Sequence, residues 1–223
     1  MPRATTFALA LLALAALSRP ARAEIQVKGP QVYPGKSEVS VHVGYQGGLI
    51  GWNGGGAPSG FRLLADYNFR FYDFGGTTLW LNAGAALTVG GACGNIANAA
   101  GAYCGGLATG DSVEPMVGLK AKFRTPIPLV PYARLDAFFS YIFNRHCDDN
   151  GYGFGARAAG GAKYFLTRNV GIGIEAGVTL GPAIFPAGAP YGNKCPIYNY
   201  PAHTDFYGAI DILAGAEFAF NRL

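Results

Sequence analysis

From Val39 to Phe220 the chain alternates apolar and polar side chains with a period of two, in eight separate runs. Val39, Val41, Val43 and Tyr45 interleave with Ser40, His42 and Gly44. Leu63, Ala65, Tyr67, Phe69 and Phe71 then alternate with Asp66, Asn68 and Arg70. The third run sets Leu79, Leu81, Ala83, Ala85, Leu87 and Val89 against Trp80, Asn82, Gly84 and Thr88. The fourth sets Val113, Val117, Leu119, Ala121 and Phe123 against Glu114, Gly118, Lys120 and Lys122. Ala133 to Phe143, Phe154 to Tyr164, Val170 to Leu180 and Phe206 to Phe220 repeat the pattern. Runs of about 9–11 residues with this period are the strand signal of a membrane barrel. The connections alternate in length, with short ones at 72–76, 125–128 and 166–169. The longer ones fall at 52–60, 90–110, 144–151 and 181–205. Short turns at one end and long loops at the other predict an all-β, eight-stranded antiparallel transmembrane barrel, with periplasmic turns and extracellular loops.

Alternation alone does not say which face meets water, because a soluble lipocalin-like barrel reads the same way with its apolar face inside. The apolar register decides, because it is graded along the strand. Phe69, Phe71, Phe123, Tyr164, Phe218 and Phe220 lie near the short turns. Tyr45, Phe139, Tyr141, Phe143, Phe154 and Phe206 lie near the loops, and aliphatic residues fill much of the middle. Two aromatic girdles around an aliphatic band are expected where a wall crosses lipid. Composition agrees. Charged residues make up 13% of the chain, against about 25% in soluble domains. Glycine, at 34 of 223 residues, is roughly double its usual share.

The first 23 residues read as a cleaved signal peptide. Arg3 supplies a positive start, Phe7 to Leu17 is apolar, and Ala21-Arg22-Ala23 has the small-x-small form of a cleavage site. The apolar run is far short of the ~20 residues a spanning helix needs. Residues 24–36, with Pro30 and Pro34, form an expected periplasmic lead-in, and 37–223 the barrel. Beyond Ala23 no apolar run is long enough for a membrane helix, so a spanning mature chain must cross with closed strands. Without Arg3, Arg19 and Arg22 the chain carries 14 basic against 13 acidic residues, which gives no basis for nucleic-acid binding.

Eight strands leave an interior that side chains can fill. The polar register places Glu38, Asp66, Glu114, Asp136, Glu175, Asp211 and Glu217 there, with Arg62, Arg70, Lys120, Lys122, Arg134, Arg157 and Lys163 as their counter-charges. Charges in a narrow lumen must be paired, so the expectation is a salt-bridged plug, with a small gated ion path as the rival. The last strand ends with Gly215, Phe218 and Phe220. It resembles the C-terminal signal read by the outer-membrane assembly machinery, although Leu213 stands at the usual polar position and three residues follow Phe220. Over about 37–220 the chain resembles, by pattern, the OmpA/OmpX-like and opacity-type small barrels. The resemblance implies a bacterial outer-membrane location, with membrane lipid and the assembly machinery as partners.

Cys93, Cys104, Cys147 and Cys195 all fall in expected extracellular loops. An even count in an exported chain predicts disulfides. Four cysteines allow three connectivities, and Cys93–Cys104 with Cys147–Cys195 is favoured because the first pair closes one short loop. Their spacing does not suit a metal site, and no cofactor is expected. Of the three histidines, His42 points inward and His146 and His203 lie in loops. No His-x-Ser occurs. Asp111-Ser112 resembles the palmitoyltransferase barrels, but two adjacent common residues do not make a catalytic site. The expectation is a non-enzymatic barrel with a structural, adhesive or partner-docking role, meeting an envelope partner protein through its loops. A narrow channel and a lipid-A-modifying enzyme are the alternatives. Intact-mass measurement of the exported protein should place the mature N-terminus at Glu24; a retained Met1 would remove the signal-peptide assignment.

Overall fold

The computed structural model describes residues 35–49, 57–90, 110–143, 150–186 and 202–220. They form eight strands: β1 (Ser37–Leu49), β2 (Gly60–Asp73), β3 (Thr77–Gly90), β4 (Asp111–Phe123), β5 (Leu129–Phe143), β6 (Gly151–Phe165), β7 (Val170–Phe185) and β8 (His203–Phe220). Each pairs antiparallel with the next, and β8 returns to β1, with His42 opposite Gly215. The sheet is therefore a closed barrel without free edges, which satisfies its backbone in hydrocarbon.

Three tight turns join the strands at one end. In the first, the Gly75 N–H donates to Asp73 Oδ1 at 2.9 Å and the Phe74 N–H to the Thr77 carbonyl at 2.8 Å. Gly75 has φ 76°, the left-handed region that glycine enters without steric penalty. In the third, Thr167 Oγ1 accepts from the N–H groups of Asn169 and Val170, at 3.2 and 3.0 Å.

The strands run further than the alternation predicts. The expected connection 181–205 is shorter, because Gly181 to Phe185 pairs with Tyr207 back to His203. Gly181 and Pro182 read as loop punctuation in the sequence, yet Pro182 keeps its place opposite Phe206. Proline does leave a mark. The β4–β5 register lapses around Pro115 and the β6–β7 register around Pro182, where no proline N–H is available to the ladder. A further irregularity lies between Arg70 and Tyr72 in β2. Its effect is to leave Phe71 and Tyr72 both exposed and to lift Arg70 toward the rim.

The two faces are inverted relative to a water-soluble protein. Ile174 is 65% exposed and Ile212 68%, while Glu175 and Asp211 between them are 1% and 0% exposed. Between the two aromatic zones no outward position of a described strand carries Asp, Glu, Lys, Arg, His or Ser. Near the turns the wall presents Phe69, Phe71, Phe123, Tyr164, Phe218 and Phe220; near the loops it presents Tyr45, Phe61, Phe139, Tyr152, Phe154 and Phe206. Tyr152 touches Phe139 and Tyr141, with ring centroids 6.0 and 5.5 Å apart, so part of the loop-side girdle is contiguous. So wide an apolar band is stable only against lipid. Replacing Ile174 by Arg should destabilise the barrel by about 2–4 kcal/mol in lipid vesicles. Urea unfolding followed by tryptophan fluorescence would test it, and an unchanged midpoint would mean that this face does not meet the bilayer.

Candidate functional site

All fourteen charged positions assigned to the lumen, apart from Arg70, are buried inside the barrel. Arg70 is half-buried at the turn-side mouth, its guanidinium 6.0 Å from the Trp80 ring. Asp205, expected at the end of a loop, is buried as well, so among the described residues the buried set is eight carboxylates and six cations and the even balance read from sequence is lost. Strand alternation puts these side chains inside, because all lie in the register opposite the apolar one.

They form two groups of ion pairs along the barrel axis, which meet at the Tyr132 ring between Lys163 and Lys120. At the turn end Lys122 Nζ donates to Glu38 and to Glu217 Oε1, the latter at 3.0 Å. Lys163 also donates to Glu217. Aromatic rings line this layer: Lys122 Nζ lies 4.5 Å from the centre of Trp80, and Lys163 and Lys120 lie 5.0 and 5.3 Å from that of Tyr132. Such cation–π contacts add to the carboxylates in holding a desolvated ammonium.

In the middle, Arg134 is the hub. Its Nη1 donates to Asp66 Oδ2 at 2.9 Å, its Nε to Asp136 Oδ2 at 2.7 Å, and Glu175 Oε2 lies 3.6 Å away. Arg157 takes over from there, with Nη2 donating to Glu175 Oε1 at 2.7 Å and to Asp211 Oδ1 at 2.6 Å. Neutral donors fill remaining acceptor sites: Ser40 Oγ to Asp66 at 2.8 Å, Asn82 Nδ2 to Asp136 at 2.7 Å, and Tyr132 OH to Glu175 at 2.9 Å. Lys120 is the loose member, 3.6 Å from Asp66 Oδ1 and without a hydrogen bond. Nearer the loops Arg62 donates to Glu114 Oε2 at 2.7 Å, and Glu114 also accepts from Ser112 and Tyr207. Above that layer apolar side chains join Ser140 and Asp205 in the lumen. Phe138 and Tyr207 meet there with ring centroids 5.2 Å apart, in a buried cluster with Ile142, Ala183 and Phe185.

The glycines explain how so many long side chains fit. Across the strand pairs, Asp66 faces Gly84, Asp136 faces Gly118, Lys163 faces Gly173, Glu175 faces Gly161, Asp211 faces Gly177 and His42 faces Gly215. A Cβ at Gly118 would lie 2.4 Å from Asp136 Oδ1, and one at Gly177 would lie 2.6 Å from Arg157 Nη2. Each bulky inward group therefore occupies the space that its neighbour leaves empty. The sequence signal was present as glycine in the polar register, but only the pairing register reveals which charge each glycine serves.

The inward aromatics Trp80, Tyr132 and Tyr207 and the apolar layer near the loops are members that charge-counting missed. Ser112 is fully buried and donates to Glu114 at 3.0 Å, and Asp111 Oδ1 accepts from the Gly90 N–H at 3.0 Å. His42 is enclosed, and its Nδ1 has no hydrogen-bond partner. Among the described residues no group of His, Cys, Asp and Glu is arranged to hold a metal ion. Cys93, Cys104, Cys147, Cys195 and His146 lie outside the described residues, as do the signal segment and most of the lead-in. Gly215, Phe218 and Phe220 sit on the closing strand, the two rings outward beside β1 and β7.

No protein-family model matches the chain, and no curated protein matches its sequence. Solved structures do match. Neisserial surface protein A aligns at 16% identity over 84% of this chain and 99% of its own, with a TM-score of 0.50. The chain has the fold of the small outer-membrane β-barrels. Two further outer-membrane-type barrels from Pseudomonas aeruginosa align over similar lengths. OprG does so at 11% identity, 86% and 99% coverage and TM-score 0.49; the N-terminal barrel domain of OprF at 13%, 84% and 100%, and 0.47. At these identities the small outer-membrane barrel is a shared architecture and carries no activity with it.

Arg134→Met, which keeps most of the volume, should cost about 3–5 kcal/mol by leaving three buried carboxylates short of a counter-charge. Unfolding in lipid vesicles would check this, and a loss below ~1 kcal/mol would show that Arg134 is not the hub of the network.

Proposed function

We propose that this chain is a non-enzymatic barrel of a bacterial outer membrane, acting as a structural, adhesive or partner-docking element that presents its loops outside the cell. One observation supports this above the others: the lumen is occupied by its own side chains. Arg62, Asp66, Glu114, Lys120, Arg134, Asp136, Arg157 and Asp211 are all buried across the barrel, and the two groups of ion pairs occupy it from Glu38 to Glu114. A water-filled path would leave the atoms along it accessible, as charged pore linings are. Moving an ion through would require breaking buried pairs that cost several kcal/mol each to separate. The lipid-facing wall supports the non-enzymatic half of the reading, because between its aromatic zones the described strands offer no outward Ser, His or carboxylate to attack a lipid. Ser40 and Ser112 are both inside and both bonded to carboxylates.

Planar-bilayer recordings of the refolded protein should remain silent across potassium chloride and sodium chloride; stepwise conductance would replace this reading with a channel. Mass spectra of lipid A from cells with and without the protein should coincide. A shift by one acyl chain would make it an enzyme.

A further inference from the structure

Among the described residues the turn-side rim carries a positive charge that the rest of the exposed surface does not share. Lys36, Arg124 and Arg168 are exposed there and Arg70 is half-buried, against one exposed carboxylate, Asp73, among the described residues of that end. Asp73 is bound by Arg124, which also donates to the Gly75 carbonyl at 2.7 Å. The basic residues sit on a connected ring of backbone. The Arg70 N–H donates to the Lys36 carbonyl at 2.9 Å, the Arg124 N–H to that of Gly76 at 2.8 Å, and the Phe165 N–H to that of Pro128 at 2.9 Å. At the opposite end the described strand termini carry a half-buried Asp111 and an exposed Asn150, with Asp205 buried, and no exposed Lys or Arg.

A second observation is independent of charge. Each of the three turns carries one large apolar side chain outward: Phe74 at 63% exposure, Ile127 at 58% and Leu166 at 58%. Lying just beyond the aromatic girdle, they would be costly in open water and are well placed to dip into the acyl boundary of a bilayer. Apolar prongs beside flexible cationic side chains fit a surface with hydrocarbon below and negative charge at its edge.

We propose that this rim binds anionic phospholipid headgroups of the turn-side leaflet, with Phe74, Ile127 and Leu166 set among the acyl chains. Lys36 and Arg168, with Arg70 at the mouth, contact the phosphates. The inference rests on the membrane reading above and adds a headgroup preference to it. A neutral zwitterionic headgroup would leave the rim's excess positive charge uncompensated, whereas phosphatidylglycerol supplies one negative charge per lipid.

The test uses the full-length mature protein reconstituted in phosphatidylcholine bilayers with spin-labelled phosphatidylglycerol or phosphatidylcholine as probe. Electron spin resonance then gives the relative association of each probe with the protein surface. Phosphatidylglycerol should be favoured about threefold at low salt, and the preference should collapse in high salt. Lys36→Gln with Arg168→Gln should bring it close to unity, with heat-modifiable gel migration unchanged as the control for folding. Arg124 stays in place because Asp73 holds it. Equal association of both probes with wild-type protein would overturn the proposal, and so would a preference that survives the double substitution. A motionally restricted lipid signal without selectivity sinks only this inference, whereas no restricted lipid at all would sink the membrane reading itself.

Discussion

Eight carboxylates and six cations are buried inside a wall that faces hydrocarbon, so they must be neutralised by partners that mostly reach across from other strands. That requirement couples elements far apart in sequence. Arg134 on β5 is answered by Asp66 on β2 and Glu175 on β7, and Arg157 on β6 by Asp211 on β8. Charged partners come from every strand but β3, which contributes Trp80 and Asn82 to the same layers. The barrel's closure and its ion network are therefore one cooperative unit, with the hydrogen-bond ladder supplying the wall and the ion pairs fixing which strand faces which. Register is fixed as well, because a slip by one residue would put a carboxylate into lipid and an isoleucine into the ionic core.

Electrostatics alone would not allow this arrangement, because the lumen is too narrow for an arginine or a glutamate on every inward position. The chain resolves the conflict by alternating bulk across strand pairs, so that Asp136, Lys163, Glu175 and Asp211 each lie over a glycine. Tyr132 shows how tight this is: its hydroxyl would lie 2.7 Å from a Cβ at Gly161 while it donates to Glu175. Glycine weakens a strand intrinsically. Here that cost is offset by the ion pairs that its absent side chain admits.

Period two made the wall legible in the sequence, because a strand has only two faces and lipid tolerates only one kind of side chain. Ile172, Ile174 and Val178 on one face and Glu175 on the other could be separated on that ground alone. The grading of aromatics toward both ends supplied the direction. What the alternation could not give was position along and across the barrel. Arg70 obeys the polar register yet sits at the mouth, because the irregularity between Arg70 and Tyr72 intervenes. Pro182 looked like a loop residue and is a strand residue, since proline at an outward position costs one ladder bond without breaking the sheet. Trp80 and Tyr207 fall in the polar register of the sequence, yet their part in the lumen network, like that of Tyr132, could not be read there for a related reason. An aromatic in the polar register has no sequence signature that separates a lumen plug from an exception to the pattern.

The inverted faces also locate where function can reside. Most polar groups inside the barrel are engaged with one another, and the unpaired Nδ1 of His42 is sealed away from water and lipid alike. The wall is chemically bare between its girdles. Specific recognition is therefore left to the two ends, and these differ in kind. The turn end is short, its backbone tied from Lys36 through Gly76 and Pro128 to Asn169, and it carries positive charge. The loop end is where the connections are long, and inside the barrel there Phe138, Ile142, Phe185 and Tyr207 pack beside the buried carboxylate of Asp205. Tyr207 ties this layer to the charged core, because its hydroxyl donates to Glu114, which Arg62 holds from the other side. The two layers are therefore one packed unit, and a change in the loop-side layer is felt by the ion pairs beneath it.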